Sequence, residues 1–241
     1  MEIHGFLDIL SLFGGGVCGQ IPSHSLIIGG RQLPLCARCT GTYLGALLGF
    51  LRLAALRRWR ASGLPPTGVL TLLASFVVVW GIDGLNSVLS LLPNAPHLYE
   101  PHNLLRLITG TLNGLALSTI VFLIFNLVLW READTEGVIR NGRELSYLLI
   151  PAALLIWIVQ TRADYLLYPI ATLSILGVLA MLTLINTMIV LIATRRESRA
   201  ESWRDAVSPL LLGLLATFLE LSALGWLHFS LTQRLTLPGQ Q

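Results

Sequence analysis

The sequence predicts an all-α integral membrane protein: a polytopic bundle of about six transmembrane helices, preceded by a short cysteine-containing hairpin. Composition is the first observation behind this prediction. Of 241 residues, 54% are hydrophobic and only 12% are charged, and the mean hydropathy is +0.72. A soluble domain carries about 25% charged residues, so this chain lacks the polar surface needed in water. The composition excludes a soluble enzyme, a disordered chain and a nucleic-acid-binding domain.

Six apolar stretches are the second observation, because a bilayer span takes about 20 mostly apolar residues. They cover residues 40–56, 68–92, 104–130, 145–160, 165–194 and 207–231. We therefore divide the chain into an N-terminal cysteine segment (1–39), a six-span bundle (40–231) and a short tail (232–241).

Glycines predict which spans pack most closely. Gly41, Gly45 and Gly49 lie in the first span, and Gly110 and Gly114 lie in the third, each at four-residue spacing. Small residues at this spacing let helix backbones approach closely in a membrane. We expect the first and third spans to be inner helices of the bundle.

The arginines predict the orientation of the spans. The chain has no lysine, and eleven of its sixteen arginines lie near the end of the first, third or fifth span or in the connection after it: Arg52, Arg57, Arg58, Arg60, Arg131, Arg140, Arg143, Arg195, Arg196, Arg199 and Arg204. Five map to the opposite face: Arg31, Arg38, Arg106, Arg162 and Arg234. Because positive charge accumulates on the cytoplasmic side, we expect a plasma-membrane protein with both termini extracytoplasmic.

The segment before the first span contains all three cysteines of the chain, Cys18, Cys36 and Cys39. An apolar stretch at residues 6–13 is too short to cross the membrane and predicts a short helix at the interface. Gly29-Gly30 lies between two apolar runs, which is the pattern of a hairpin. Folding that hairpin would bring Cys18 back toward the other two cysteines.

Three interpretations of the cysteines are open. In the first, Cys18, Cys36 and Cys39 bind zinc, with His24 or His4 as a fourth ligand. In the second, Cys36 and Cys39 form a redox dithiol at the N-terminal end of a helix, where the dipole and Arg38 lower a thiol pKa. In the third, a structural disulfide forms outside the cell and leaves one odd thiol.

A second group of polar residues is predicted inside the bilayer at the same, outer face. Asp83 and Asn86 share a face of the second span, and Asn103 and Arg106 open the third. Because the connecting loop is short, we expect Asp83 and Arg106 to form an ion pair. Intramembrane ionisable residues are by default candidates for function. These four residues are therefore candidate catalytic residues, and the alternative is an ion pair that only clamps two helices.

Other polar residues receive simpler predictions. His97, Tyr99 and Glu100 are expected to be solvated in the loop after the second span. Glu220 lies in the middle of the sixth span, either as a carboxyl hydrogen-bonded within the bundle or as part of a proton path. His228, near the outer end of that span, is expected at the aromatic interface.

Two motifs resemble a known family. Cys18-x-Gln20-x-Pro22, followed by Pro34-Leu35-Cys36-Ala37-Arg38-Cys39-Thr40-Gly41, is similar to the head motif of prokaryotic membrane proteins known as domain of unknown function 2085. Asp83-Gly84 and the later Asn103-x-x-Arg106-x-x-Thr109-Gly110 resemble its second motif. In that family pattern a histidine follows the first cysteine and an arginine precedes the serine. Here those positions hold Gly19 and His24. If that histidine is a metal ligand in the family, Gly19 cannot replace it, and either His24 serves from a displaced position or a water occupies an open coordination position. The resemblance implies no activity.

Three functions follow as hypotheses, and the sequence does not decide whether the protein is an enzyme. In the first, a metal held by the cysteines acts at the outer leaflet on a lipid-linked or small hydrophobic substrate. Asp83 would then be a general base, and Arg106 would hold an anionic head group. In the second, the protein is a transporter or an accessory subunit whose zinc knuckle docks a membrane protein partner. In the third, it is a thiol–disulfide oxidoreductase using Cys36 and Cys39.

Overall fold

Helices dominate the computed structural model, which describes residues 5–92 and 96–235. These ranges contain seven α-helices: α1 (Phe6–Gly15), α2 (Ala37–Ala55), α3 (Thr67–Leu89), α4 (Asn103–Leu129), α5 (Gly142–Thr161), α6 (Leu167–Ala193) and α7 (Trp203–Leu235). The predicted all-α class is confirmed. Helices α2 to α7 correspond in order to the six predicted spans, and their ends differ from the predicted ones by no more than about four residues.

Five of these helices, α3 to α7, are long and apolar enough to cross a membrane. Helix α2, the first predicted span, is not among the five, although its 19 residues extend about 28 Å at 1.5 Å per residue. Its composition explains the difference, since it contains Arg38, Arg52 and several glycines and threonines. Ten of its 19 residues are buried, so α2 lies inside the bundle and needs little apolar surface facing lipid.

Glycines bring α2 and α4 into close contact, and both are inner helices of the bundle, as predicted. A Cβ atom on Gly45 would lie 2.4 Å from the Thr111 carbonyl oxygen, and one on Gly114 would lie 2.1 Å from that of Thr42. Both distances are far below van der Waals contact, so neither position tolerates a side chain without a shift of the backbone. The small residues therefore set the separation of the two inner helices.

The connections after α2, α4 and α6 interlock at one end of the bundle, which we call the arginine end. Strand β3 (Ala61–Gly63) pairs in parallel with β4 (Asp134–Gly137), and Trp130 forms an isolated bridge with Ala200. The Trp203 ring contacts Trp59 and Trp130 edge-on, at centroid distances of 5.3 and 4.9 Å. The arginine-rich connections thus share one face, while the side of the membrane on which they lie stays a prediction.

The opposite end, which we call the cysteine end, carries the hairpin of β1 (Ser25–Ile28) and β2 (Arg31–Cys36). The two strands are antiparallel, with Ile28 paired to Arg31. The turn residues Gly29 and Gly30 have φ values of 56° and 72°, a left-handed conformation that favours glycine. The predicted hairpin is confirmed. It packs on α1, α6 and the start of α2 through buried leucines and isoleucines.

Candidate functional site

The hairpin and one glutamine position the cysteines. In the hairpin register, Ser25 pairs with Cys36 at the open end of the two strands. Gln20 lies two residues after Cys18, and its side-chain Nε2 donates to the carbonyl oxygens of Ser11 and Pro34, each at 2.7 Å. These bonds tie the segment after α1 to strand β2. Cys18 is thereby held against the strand that ends in Cys36.

The three thiols come together as the hairpin predicts. The Sγ atoms of Cys18, Cys36 and Cys39 all lie within 4.8 Å of one another, and no disulfide joins them. Two backbone amides point at Cys18 Sγ: Gln20 N at 3.4 Å and Cys36 N at 3.2 Å. Cys36 caps helix α2, and its Sγ accepts from Cys39 N at 3.5 Å. Amide donors aimed at sulfur stabilise a thiolate, as does the N-terminal end of a helix.

The thiols do not ionise independently. Hydrogen bonds from Cys18 and Cys39, with the backbone amides at the start of α2, hold the pKa of Cys36 well below its usual range. The hydrogen bond to Cys36 and burial raise the pKa of Cys18. The surroundings therefore favour ionisation of Cys36 over that of Cys18. Binding of a divalent cation would release the remaining protons, because metal ligands are thiolates.

His24, the predicted fourth ligand, does not join this cluster. It ends the short 3₁₀ turn Pro22–His24 before β1, and the described residues whose donor atoms come together are the three cysteines alone. Burial, and then the positive charge of Arg106, lower the pKa of His24. The His24 ring is therefore close enough to Arg106 to feel its charge. His4, the other histidine considered, lies outside the described residues.

Asp83 forms an ion pair with Arg38, which corrects the prediction that Arg106 is its partner. Arg38 donates to Asp83 Oδ2 from Nε at 3.0 Å and from Nη2 at 2.5 Å, and to the Asp83 carbonyl oxygen at 3.0 Å. The Asp83 side chain is 2% exposed and that of Arg38 is 17% exposed. Arg38 stands between Cys36 and Cys39 in the chain, so it joins the thiol cluster to the carboxylate.

Helix packing explains the change of partner. A Cβ atom on Gly110 would lie 2.2 Å from the Arg38 carbonyl oxygen, so the start of α2 lies directly against α4. From there the Arg38 guanidinium reaches α3. Arg106 instead donates to Ser87 Oγ at 3.3 Å and to Asn103 Oδ1 at 2.7 Å. Ser87 also accepts from Arg38 at 2.7 Å, so one hydroxyl joins both guanidinium groups.

The two predicted asparagines have structural partners. Asn86 donates to the Tyr99 carbonyl oxygen at 2.9 Å and accepts from Leu98 N at 2.6 Å, which holds the loop over the site. Asn103 donates to the Ser25 carbonyl oxygen at 3.1 Å, which attaches the hairpin to α4. The cysteine segment and the Asp83 cluster therefore lie at one end of the bundle, as predicted.

Two further residues contact Asp83 and were not predicted to do so. Tyr99 was expected in solvent, but its hydroxyl donates to Asp83 Oδ1 at 2.7 Å, and Thr109 donates to Oδ2 at 3.3 Å. Burial and the hydrogen bond to Asp83 raise the pKa of Tyr99 to about 12. Helical spacing could have indicated Ser87, four residues after Asp83, and Thr109, three after Arg106. No periodic signal marks Tyr99, because it lies in a loop.

Glu220 and His228 lie on α7. Glu220 Oε2 accepts from Asn186 Nδ2 of α6 at 2.9 Å, and the same amide donates to Thr217 Oγ1 at 3.0 Å. Glu220 was predicted either to be hydrogen-bonded within the bundle or to belong to a proton path. The contact with Asn186 fits the first of these predictions. The His228 ring lies beside α1, with its Cδ2 3.3 Å from a Cβ built on Gly15.

The comparisons with known proteins agree with the motifs. Residues 18–120 match the model of the family described as "Predicted membrane protein (DUF2085)". An uncharacterized protein of Methanocaldococcus jannaschii is 30% identical over 108 residues, which are 45% of this chain and 61% of that protein. An uncharacterized protein of Methanothermobacter thermautotrophicus is 29% identical over 114 residues, which are 47% of this chain and 91% of that protein. No solved structure matches the chain.

The matched region has a clear structural meaning. It begins at Cys18, contains the hairpin and helices α2 and α3, and ends within α4. Every residue of the thiol cluster and of the Asp83 cluster falls inside it. The resemblance predicted from the motifs is confirmed, and the family description supports a membrane protein without assigning a reaction.

Proposed function

We propose that Cys18, Cys36 and Cys39 hold a zinc ion, and that this metal centre and the adjoining Asp83–Arg38–Arg106 cluster together bind a lipid-linked or small hydrophobic substrate with an anionic group. The observation that carries the proposal is the convergence of all three cysteines of the chain, as free thiols, within 4.8 Å of one another. Zinc prefers thiolate ligands in tetrahedral geometry.

The donor set fits zinc in distance. With Zn–S bonds of about 2.3 Å, tetrahedral geometry separates two sulfur atoms by about 3.8 Å. The Sγ–Sγ distances in the present cluster are at most 4.8 Å, so small side-chain rotations would bring them to about the tetrahedral value. The amides that point at Cys18 and Cys36 add the outer hydrogen bonds that metal–thiolate centres use to orient their ligands.

The local charges also fit. Zinc with three thiolates carries a net charge of −1. The adjoining Arg38, Arg106 and Asp83 side chains sum to +1, so the two groups balance each other at one end of the bundle. Three protein ligands also leave the fourth zinc position to water or substrate, which is the arrangement of catalytic rather than closed structural sites.

The hydrogen bonds of Asp83 favour a role in positioning Arg38 over a role as general base. Its carboxylate accepts hydrogen bonds from Arg38, Tyr99 and Thr109. A general base must reach the proton that it removes, and these donors occupy both of the Asp83 oxygens. We therefore assign Asp83 to positioning Arg38, and assign contact with an anionic group to Arg106.

Metal analysis of the purified full chain in detergent tests the proposal. We expect about one zinc per chain, retained through size exclusion. Cys18→Ser, Cys36→Ser and Cys39→Ser should each lose the metal, while His102→Ala, at an exposed histidine near the same end, should keep it. The variant His24→Ala should also keep zinc, because His24 lies outside the thiol cluster. Full zinc content in all three serine variants would refute the metal centre.

A thiol–disulfide oxidoreductase is the second candidate, favoured by the lowered pKa of Cys36 at the start of α2. In that case Cys36 would attack a substrate disulfide, and Cys39 would then displace the mixed disulfide to leave a Cys36–Cys39 bond and a reduced substrate. Treatment with oxidised glutathione, followed by alkylation and mass spectrometry, separates the candidates. Zinc-loaded protein should resist oxidation. A metal-free protein with a reducible Cys36–Cys39 bond would support the oxidoreductase instead.

A further inference from the structure

A polar chamber of about 710 Å³ lies at the arginine end, far along the bundle from the thiol cluster. Its walls come from the connections after α2 and α4 and from the start of α5. The charged side chains that line it are Arg57, Arg58, Arg60, Arg140, Asp134, Glu136 and Glu144. Four cations against three carboxylates give the chamber a net charge of +1.

Two of the three carboxylates of this chamber, Glu136 and Glu144, are already in ion pairs, while the Asp134 carboxylate accepts from the backbone amide of Glu136. Arg58 donates to Glu136 at 3.0 Å and to Glu144 at 2.6 Å, and Arg140 also pairs with Glu136. Within the described residues, Arg57 is exposed and makes no ion pair. Arg58 is 7% exposed, and its Nε is buried without a hydrogen-bond partner. The charges of the chamber outside ion pairs are therefore those of Arg57, Arg60 and Asp134, which leave a surplus of one positive charge.

An apolar groove of about 590 Å³ adjoins the chamber. It runs between α2, α4, α6 and α7 and is lined by leucines and phenylalanines, with Phe50 and Phe125 among them. Leu51 and Leu176 on its rim are 61% and 46% exposed, so the groove opens on the side of the bundle. Its lining also includes Thr183, whose hydroxyl is buried without a partner.

Trp59 and Trp203 join the two cavities, because both side chains line the chamber and the groove alike. Their rings meet edge-on at 5.3 Å, and they are 40% and 46% exposed. Tryptophan prefers the level of the lipid head groups in a membrane. The two tryptophans therefore mark the boundary between the chamber, at the level of the lipid head groups, and the groove, at the level of the acyl chains.

We propose that this composite cavity binds one anionic glycerophospholipid of the surrounding bilayer, with its phosphate in the chamber near Arg57 and one acyl chain in the groove. Three of the four helices around the groove, α4, α6 and α7, are apolar enough to span a membrane, so the groove opens toward lipid chains. A volume of 590 Å³ lies within the range of about 300–1,000 Å³ for ligand sites. The predicted orientation places the site in the cytoplasmic leaflet, where anionic lipids are concentrated.

Charge and shape together select this occupant. A soluble anion would use the chamber but leave the groove unfilled, and a zwitterionic lipid would leave the surplus positive charge unbalanced. Arg58 stays paired with its two glutamates. Arg57 supplies the unpaired cation, as expected for a juxtamembrane arginine that contacts anionic lipid.

Lipid retention by the delipidated full chain in non-ionic detergent tests the site. We expect native mass spectrometry to show one bound phosphatidylglycerol, preferred over phosphatidylcholine with the same chains. Raising the salt concentration should weaken this preference, because the charges at the mouth of the chamber are screened. Equal retention of the two lipids would overturn the proposal without any variant being needed.

Variants with matched controls separate the head-group and chain contacts. Arg57→Gln should weaken phosphatidylglycerol binding about five-fold, while Arg143→Gln, at an exposed arginine that does not line the chamber, should leave it unchanged. Ala180→Phe fills the groove and should weaken binding at least about ten-fold, whereas Ala74→Phe on exposed α3 should not. Size-exclusion profiles identify any variant that fails to fold. In that case the comparison of phosphatidylglycerol with phosphatidylcholine on the wild-type chain decides whether the proposal holds.

Three outcomes would contradict the proposal. Identical binding by Arg57→Gln and Arg143→Gln would remove the head-group assignment. Full displacement of the lipid by inorganic phosphate, with no effect of Ala180→Phe, would make the chamber a site for a soluble anion. Binding of an isoprenyl phosphate far tighter than that of phosphatidylglycerol would replace the glycerophospholipid by a single-chain lipid.

Discussion

The two ends of the bundle both gather charged side chains but handle them differently. At the cysteine end, Asp83 and Arg38 are mostly buried, and a tyrosine, a serine and a threonine complete their hydrogen bonds. At the arginine end, Arg131 and Glu201 form an ion pair in which both side chains are 66% exposed. The number of charged residues is larger at the arginine end, where most of them are exposed and Arg58, at 7%, is the buried exception.

This difference has an energetic consequence. Exposed ion pairs contribute about 0–1 kcal/mol, because water solvates and screens both partners. Removing one partner of a buried pair costs several kcal/mol, since the other charge stays buried without compensation. Substituting Asp83 should therefore affect stability more than substituting Arg131 or Glu201, although the arginine end has more charges.

Asp83→Asn should have the largest effect. The substitution keeps the shape of the side chain but leaves Arg38 and Arg106 close together without a carboxylate, at a cost of about 3 kcal/mol or more. Heat treatment in detergent, followed by size exclusion, measures the loss as a lower temperature of half-recovery. Glu100→Gln is the matched control, because its side chain is 84% exposed in a neighbouring loop. Equal stability of the two variants would show that the buried pair does not stabilise the fold.

A double variant sharpens the same prediction. Replacing both partners, as Arg38→Met with Asp83→Leu, removes both buried charges and should recover much of the stability lost in Asp83→Asn. Recovery of stability would show that the uncompensated buried charge causes the loss in Asp83→Asn. Failure to recover it would instead indicate that Thr109, Tyr99 and Ser87 depend on the charges.

Tyr99→Phe should have an intermediate effect of about 1–2 kcal/mol, because it removes one hydrogen bond to a carboxylate. The pH dependence supplies a second measurement. The pKa of Tyr99 is raised from 10.0 to about 12 in the folded protein, so its contribution is complete below pH 10 and is lost as the pH rises toward 12. The stability difference between wild type and Tyr99→Phe should therefore shrink over that interval. A difference that is constant from pH 8 to 12 would contradict this role.

The cysteine end also shows what local sequence patterns predict well. The Gly29-Gly30 turn and the spacing of the cysteines were sufficient to predict the hairpin and the meeting of the three thiols. The glycine spacing in the first and third spans was sufficient to predict that α2 and α4 are inner helices, and the structure adds that they pack against each other. In each case the pattern lies within one element or one turn, where backbone geometry alone decides the outcome.

The predictions that were wrong required contacts between distant elements. Asp83 was paired with Arg106 because a short loop joins their helices, but the close approach of α2 at Gly110 inserts Arg38 instead. Tyr99 folds back on the site through its loop, which has no periodicity to reveal it. His24 precedes the cysteine hairpin in the chain, but spacing does not determine the direction of its side chain.

Arg131→Gln should have the smallest effect, less than about 0.5 kcal/mol, because its partner Glu201 is equally exposed and water replaces the lost contact. Arg58→Gln is the informative comparison at the same end. Its side chain is 7% exposed and donates to two glutamates, so its loss should cost more than that of Arg131. If the two variants have equal stability, burial does not determine how much a charged side chain contributes to the free energy of unfolding. The proposed energetic difference between exposed and buried charges would then be wrong. If only Arg58→Gln is destabilised, Arg58 is the buried arginine that stabilises the arginine end. The exposed arginines would then contribute little to stability, which is compatible with roles in membrane orientation and lipid binding.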